Sequence, residues 1–243
     1  MIAIELVNRI TVLEDYLGTF HGLTLIGTPN IVSRWNDGGV ARAEDHGDRS
    51  RRESRHDENV VRPGTLLVSA TDLVESSFRR TIVYIVEHND AGTLGVVLNR
   101  QSETAVADVL PKWAELAATP QSLYIGGPVK RDAALCLALT RVGTDIDGVS
   151  GLRRVDGRIA LVDLDSDPDR IAPLVEGLRI FAGYAGWTFG QLEGELDRGD
   201  WLVLSALPTD PIAGRGDLWA QVLRRQPLPL SLLATHPIEV ERN

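Results

Sequence analysis

The segment Thr81-Ile82-Val83-Tyr84-Ile85-Val86 constrains the fold of this chain more than any other. β-Branched side chains lose χ1 freedom in a helix and pack well on a pleated surface, so this run predicts a buried strand. Turn-forming residues follow at His88-Asn89-Asp90-Ala91-Gly92, and Gly95-Val96-Val97-Leu98 predicts a return strand. Together they predict an antiparallel β-hairpin with a five-residue loop over residues 88–92.

The remaining elements follow from periodicity and punctuation. Further strands are predicted at 65–70, 123–125, 134–140, 159–162 and 201–205. Residues 104–117 carry Val106, Val109, Leu110, Trp113 and Leu116 at helical spacing, with Pro111 placed to split the helix. Ser166-Asp167-Pro168 is a helix-start signal, and Ile171, Leu174, Val175 and Leu178 continue it as an apolar face. A short helix is expected near 189–196, with Trp187 or Thr188 as its cap. Asp217 should cap another helix that carries Leu218, Trp219, Val222 and Leu223. Residues 227–243 read as an extended tail. Strands and helices mix without strict alternation, which predicts α+β rather than a doubly wound sheet.

The first 60 residues differ from the rest. Residues 2–20 are compatible with a short amphipathic helix, whereas residues 36–59 have almost nothing apolar to bury and are expected to be disordered. The expectation is a poorly ordered extension over 1–60 and one domain over 61–243. A valine at position 40 is compatible with an alternative start codon, so residues 1–39 are read as a segment that need not belong to the natural protein. No basic region precedes the apolar residues near Met1, which argues against a signal peptide or a membrane span, and cytoplasmic residence is expected. Cys136 is the lone cysteine and lies in an apolar run, so a buried inert thiol is expected, with no intrachain disulfide.

Standard catalytic signatures are missing: there is no Gly-x-Ser-x-Gly, no phosphate loop, no paired-cysteine spacing and no His-Glu-x-x-His. Beyond residue 60 the histidines are His88 and His236, so no His-rich metal site is expected there, and no cofactor. The alternating Asp163, Asp165, Asp167 and Asp169 lack the glycine and closing glutamate of a calcium loop, and helix capping is the better reading. Three constellations stand out. His88 and Asn99, at opposite ends of the hairpin, either converge on a ligand or satisfy loop backbone. Gly126-Gly127 permits close backbone approach, for an anion or for a tight turn. In the third, Tyr184 and Trp187 lie among glycines, ahead of Gln191 and Glu195 at i, i+4 spacing. That segment either lines a pocket, where a helix N-terminus would favour an anionic or carbonyl-bearing ligand, or forms a structural corner.

These stretches also carry a family resemblance. Phe78-Arg79-Arg80-Thr81-Ile82-Val83, Glu87-His88-Asn89, Gly92 through Arg100, Gly126-Gly127-Pro128-Val129, Gly183-Tyr184-Ala185-Gly186-Trp187 and Gly190-Gln191-Leu192-Glu193 resemble the signature of YqgE/AlgH proteins over residues 62–225. Thr93 and Gln101 are mild departures, where the family pattern often has Ala and Pro. The resemblance implies an α+β fold with a bent, bifurcated β-sheet closing into a pseudo-barrel with flanking helices. It implies a bacterial cytosolic protein with a proposed role in transcriptional regulation, and it transfers no catalytic residue.

The functional expectation is therefore a non-enzymatic regulatory or adaptor protein acting through a protein partner or a small ligand. The alternative is a small-molecule-binding protein or enzyme with a pocket near His88, Asn99 and Glu195. Direct DNA binding is disfavoured by the formal net charge of −9 and by the spread of acids along the chain. Without clustered cations to release phosphate counterions, a gel shift at physiological salt should show only weak, non-specific binding. Sequence-selective binding tighter than about micromolar would restore the direct-regulator reading.

Overall fold

The computed structural model describes residues 60–236, apart from residues 74, 76 and 215. Expectations for residues 1–59, and for the end of the tail at 237–243, lie outside the described residues. Strands β2 (Ile82–Asn89) and β3 (Gly92–Val97) form the expected antiparallel hairpin, with Val83 opposite Val97 and Asn89 opposite Gly92. The turn holds two residues rather than five. Asn89 Oδ1 accepts from the Ala91 amide at 2.8 Å, so the side chain closes the turn early and His88 and Asn89 stay in the strand.

The sheet grows outward from this hairpin. Its order is β10 (Trp201–Ser205), β1 (Thr65–Ser69), β2, β3, β9 (Val175–Thr188), β6 (Val129–Thr140), β8 (Ile159–Val162) and β7 (Leu152–Asp156). All of these neighbours are antiparallel. A branch leaves the path at β9, where β5 (Ser122–Ile125) runs parallel to it and pairs in turn with β4 (Gln101–Ala105). The sheet then curls. A Cβ on Gly64, just before β1, would lie 2.5 Å from Asp156 Cβ at the end of β7. Arg153 of β7 reaches Glu87 of β2 at 3.7 Å. The result is a bent, branched half-barrel with flanking helices, an α+β fold.

Helices and side-chain clusters cover both faces. Inside the curl, Tyr84, Leu137 and Phe181 pack against α4 (Leu218–Arg224), whose Trp219 is 1% exposed and donates its indole N–H to Ser69 O. Asp217 caps α4 by accepting from Ala220 N, as expected. On the outer face of β6 and β9 lie α1 (Val106–Val109), a 3₁₀ turn at Pro111–Leu116 and α2 (Pro168–Ile171). Asp167 accepts from Asp169 N ahead of α2, in keeping with the capping reading of that acidic stretch. Cys136 lies in this layer at 1% exposure, and burial pushes its thiol far above the ordinary value. The third cluster, on the outer face of β1, β2 and β10, is closed by α3 (Gln191–Asp197) through Leu192.

Arg179 is the least expected core residue. It is 2% exposed, lies 4.1 Å from the Tyr124 ring centroid and donates to Ile212 O at 2.7 Å and Thr119 O at 3.3 Å. Carbonyl dipoles and an aromatic face take the place of a carboxylate. Burial lowers its pKa, opposed by its interaction with Tyr124.

Other sequence expectations need correction. Residues 104–105 belong to β4, and Pro111 does end the helix after α1. The helix predicted through Leu178 stops at Leu174, because Pro173 removes a donor; Val175 and Leu178 belong to β9. In a strand buried on both sides, alternation is invisible, and the apolar positions mimicked helical spacing. β6 starts at Val129 rather than at 134. β7 was not foreseen, since an edge strand with Arg153 and Arg154 shows no apolar pattern. The tail is not extended throughout: Leu230–Thr235 is a 3₁₀ helix against α4. Among the described residues no helix is long and apolar enough to cross a membrane.

The core makes one pH prediction. Burial first, then Asp156 and Asp210, push the Tyr84 phenol well above its ordinary value of 10.0. A group whose folded pKa is raised gives stability that is fully present below its unfolded pKa and lost as pH rises toward the folded one. Denaturant midpoints should therefore begin to fall above about pH 10. Tyr84→Phe should make that fall shallower, and an identical slope in the variant would assign the alkaline loss elsewhere.

Candidate functional site

Two local structures face each other across a cavity. One is the tip of the β2–β3 hairpin, closed by the Asn89 side chain. The other is the end of β9, where Thr188 pairs with Gly92 and the chain turns through Phe189 and Gly190 into α3. The space between them is about 360 Å³ and is lined by His88, Asn89, Asp90, Gly92, Thr93, Thr188, Phe189 and Glu193. Its polar groups are mostly engaged. His88 Nδ1 lies 2.7 Å from Thr93 Oγ1, Asn89 Nδ2 donates to Glu87 Oε1 at 3.1 Å, and the Thr188 hydroxyl donates to Gln191 Oε1 at 3.3 Å. Phe189 is 76% exposed.

Of the candidate ligand residues His88, Asn99, Gly126, Gly127, Tyr184, Trp187, Gln191 and Glu195, only His88 lines this cavity. Asn99 does not meet it. Its Oδ1 accepts from Ile82 N at 3.1 Å and its Nδ2 donates to Arg80 O at 2.9 Å, at the far end of the hairpin, about 20 Å along the strand from His88. This bond pair holds the chain where Arg80 adopts φ 54°. The side chain of Arg80 reaches onward to Asp217 and lies 4.2 Å from the Trp219 ring centroid. Asn99 thus satisfies backbone, the blander of its two readings.

Gly126 and Gly127 sit where the sheet branches. Gly126 O accepts from Val97 N at 2.8 Å, and Gly126 N donates to Ala182 O at 2.9 Å. A Cβ on Gly126 would fall 2.2 Å from Gly183 O, and one on Gly127 would fall 2.2 Å from Tyr184 C. The pair is needed for close backbone approach. Tyr184 is 1% exposed within the main core.

Trp187, Gln191 and Glu195 form a network behind the cavity. Glu195 Oε2 accepts from both Trp187 Nε1 and Trp201 Nε1, each at 2.8 Å, and Glu195 Oε1 accepts from Gln191 Nε2 at 3.1 Å. The i, i+4 relation of Gln191 and Glu195 is therefore real, but it holds two indoles in place. Phe78 stacks on Trp187 at 6.1 Å and meets Trp201 edge-on at 5.5 Å. Gly190, rather than Trp187 or Thr188, occupies the N-cap of α3, and Gln191 Oε1 accepts from Thr188 N at 3.2 Å. His88, Asn99 and Glu195 do not converge in one cleft. Asp90, Thr188, Phe189 and Glu193 lie within the stretches singled out from the sequence but, like Thr93, were not among the candidate ligand residues; all five line the cavity. The available signal was Phe189, an aromatic residue in a glycine-rich stretch directly before a helix start.

Among the described residues no group of three or more His, Cys, Asp or Glu is placed to hold a metal. The cavity can accept hydrogen bonds through Asp90 and Glu193 and can offer an aromatic face, which are recognition elements.

The comparisons with known proteins agree with this architecture. A family model described as AlgH-like matches residues 66–231. A UPF0301 protein of Nocardia farcinica is 71% identical over 214 residues, covering 84% of this chain and all of that protein. A crystal structure from Corynebacterium diphtheriae superposes with a TM-score of 0.72 at 40% identity, covering 79% of this chain and 100% of the other. The solution structure of the AlgH protein from Pseudomonas aeruginosa gives a TM-score of 0.53 at 28% identity, covering 73% and 95%. The chain belongs to the AlgH-like family.

The Glu195 network yields a stability prediction. Glu195→Ala orphans two indole donors and should cost at least about 2 kcal/mol in denaturant unfolding, as for partly buried groups that lose a charged acceptor. Gln191→Ala, at an exposed position, should cost less than about 1 kcal/mol. Unchanged melting of Glu195→Ala would remove its structural role.

Proposed function

We propose that this AlgH-like chain works as a non-enzymatic regulatory or adaptor protein of the bacterial cytosol, engaging a protein partner at the hairpin-tip cavity. The observation that carries this reading is Phe189, 76% exposed beside a cavity built from two well-packed elements. Exposed aromatic residues on rigid supports are the usual anchors of protein recognition, because they bury large area at little entropic cost. Glu195 supplies the support by fixing both tryptophans under the α3 end. The acidic composition favours a protein partner over nucleic acid as the route to any regulatory effect.

One observation favours a second reading. The Thr93–His88 pair beside the cavity, with a volume near the lower end of ligand pockets, suits a small molecule recognised or processed there. Affinity capture from the source bacterium, with identification of both proteins and metabolites, separates the two. The partner reading expects a protein retained by the natural chain and lost at least about tenfold by Phe189→Ala, with unchanged melting. A co-purifying metabolite sensitive to Thr93→Val, and no Phe189-dependent protein, would replace it with the small-molecule reading.

A further inference from the structure

The formal charge carried by the side chains that line the hairpin-tip cavity has one sign. His88 is engaged with Thr93, Asn89 with Glu87, and Thr188 with Gln191. Asp90, in the two-residue turn, and Glu193, in the first turn of α3, have no side-chain hydrogen bond or ion pair among the described residues. No Lys or Arg lines the cavity. What remains is two carboxylates, one on each wall, an exposed phenyl ring and the second ring nitrogen of His88. An anionic ligand, favoured by the helix N-terminus considered from sequence alone, would meet like charge here, and α3 is too short to offset it.

We infer that the hairpin-tip cavity binds a guanidinium group, presented as an arginine side chain of the partner protein. The inference rests on the docking reading above and specifies its chemistry. A guanidinium is planar and donor-only, so it stacks on an aromatic face while its edges hydrogen-bond to carboxylates. A lysine ammonium carries the charge but cannot stack. A metal ion is disfavoured because no three ligating groups of the described residues come close enough to share one. The formal net charge of −9 adds long-range attraction for a cationic segment.

The test uses the full chain and the blocked peptide acetyl-Gly-Arg-Gly-amide, titrated by calorimetry at low salt. The arginine peptide should bind saturably and weaken as salt is raised. The citrulline peptide, its uncharged isostere, should bind at least about tenfold more weakly. The double variant Asp90→Asn, Glu193→Gln should lose a comparable factor at unchanged melting. Equal binding of the citrulline peptide, no saturable binding of the arginine peptide, or undiminished affinity in the double variant would each overturn the inference. A free guanidino metabolite that co-purifies with the natural chain and is lost by the double variant, with no protein retained through the same carboxylates, would overturn the partner half and assign the site to a free guanidino compound. Failure of this inference is distinguishable from failure of the docking reading. A protein captured by the natural chain and by the double charge variant, but lost by Phe189→Ala, leaves docking intact and removes the guanidinium. A citrulline-discriminating site with no Phe189-dependent protein does the reverse.

Discussion

Strand β9 shares its backbone among three neighbours, and the rest of the architecture depends on that sharing. Its C-terminal end pairs with β3, its middle runs beside β5, and its other edge pairs with β6. A strand has only two edges, so β3 and β5 must take the same edge in succession. Their handover occurs at Gly126, which bonds to Val97 on one side and Ala182 on the other. Two backbones approach there more closely than any side chain permits. A substitution at Gly126 would force apart the arm bearing the hairpin and the arm bearing β4 and β5, and with them the two halves of the core.

The candidate site inherits its rigidity from the same strand. After the branch, β9 carries Tyr184 into the main core and Trp187 into the outer cluster, then delivers Thr188 opposite Gly92 at the hairpin tip. Glu195 reaches back from α3 to grip Trp187 and Trp201 together. The cavity is therefore bounded by a tight turn on one side and an anchored helix start on the other. Phe189, between β9 and α3, projects from fixed supports although it packs little itself. That combination suits recognition, in which a side chain held out in advance loses little entropy on binding.

The polar residues separate into structural and free groups in a way that composition does not reveal. Asn99, Glu195 and Arg179 are all partnered within the fold, and each holds backbone or indole groups that would otherwise be orphaned. Asp90 and Glu193 differ only in lying where the chain leaves them facing open space. Loop and helix-start residues lie where neighbouring groups are scarce, which is why their chemistry is available to a ligand.

By itself, the sequence determined the hairpin, the family, the α+β class and most strands, because β-branched runs, turn clusters and the Asp217 cap act through neighbours close along the chain. It misread β9, whose two buried faces erase the alternation that identifies a strand, and it missed β7, whose exposed edge leaves no apolar pattern. It named His88 for the site, yet grouped it with Asn99 and Glu195, which serve other parts of the structure. Only the tertiary fold decided which polar groups meet. Register across β2, β3 and β9 brings Asp90, Phe189 and Glu193 around one cavity from positions about a hundred residues apart. Such convergence is a property of strand pairing at long range, to which no local pattern of residues responds.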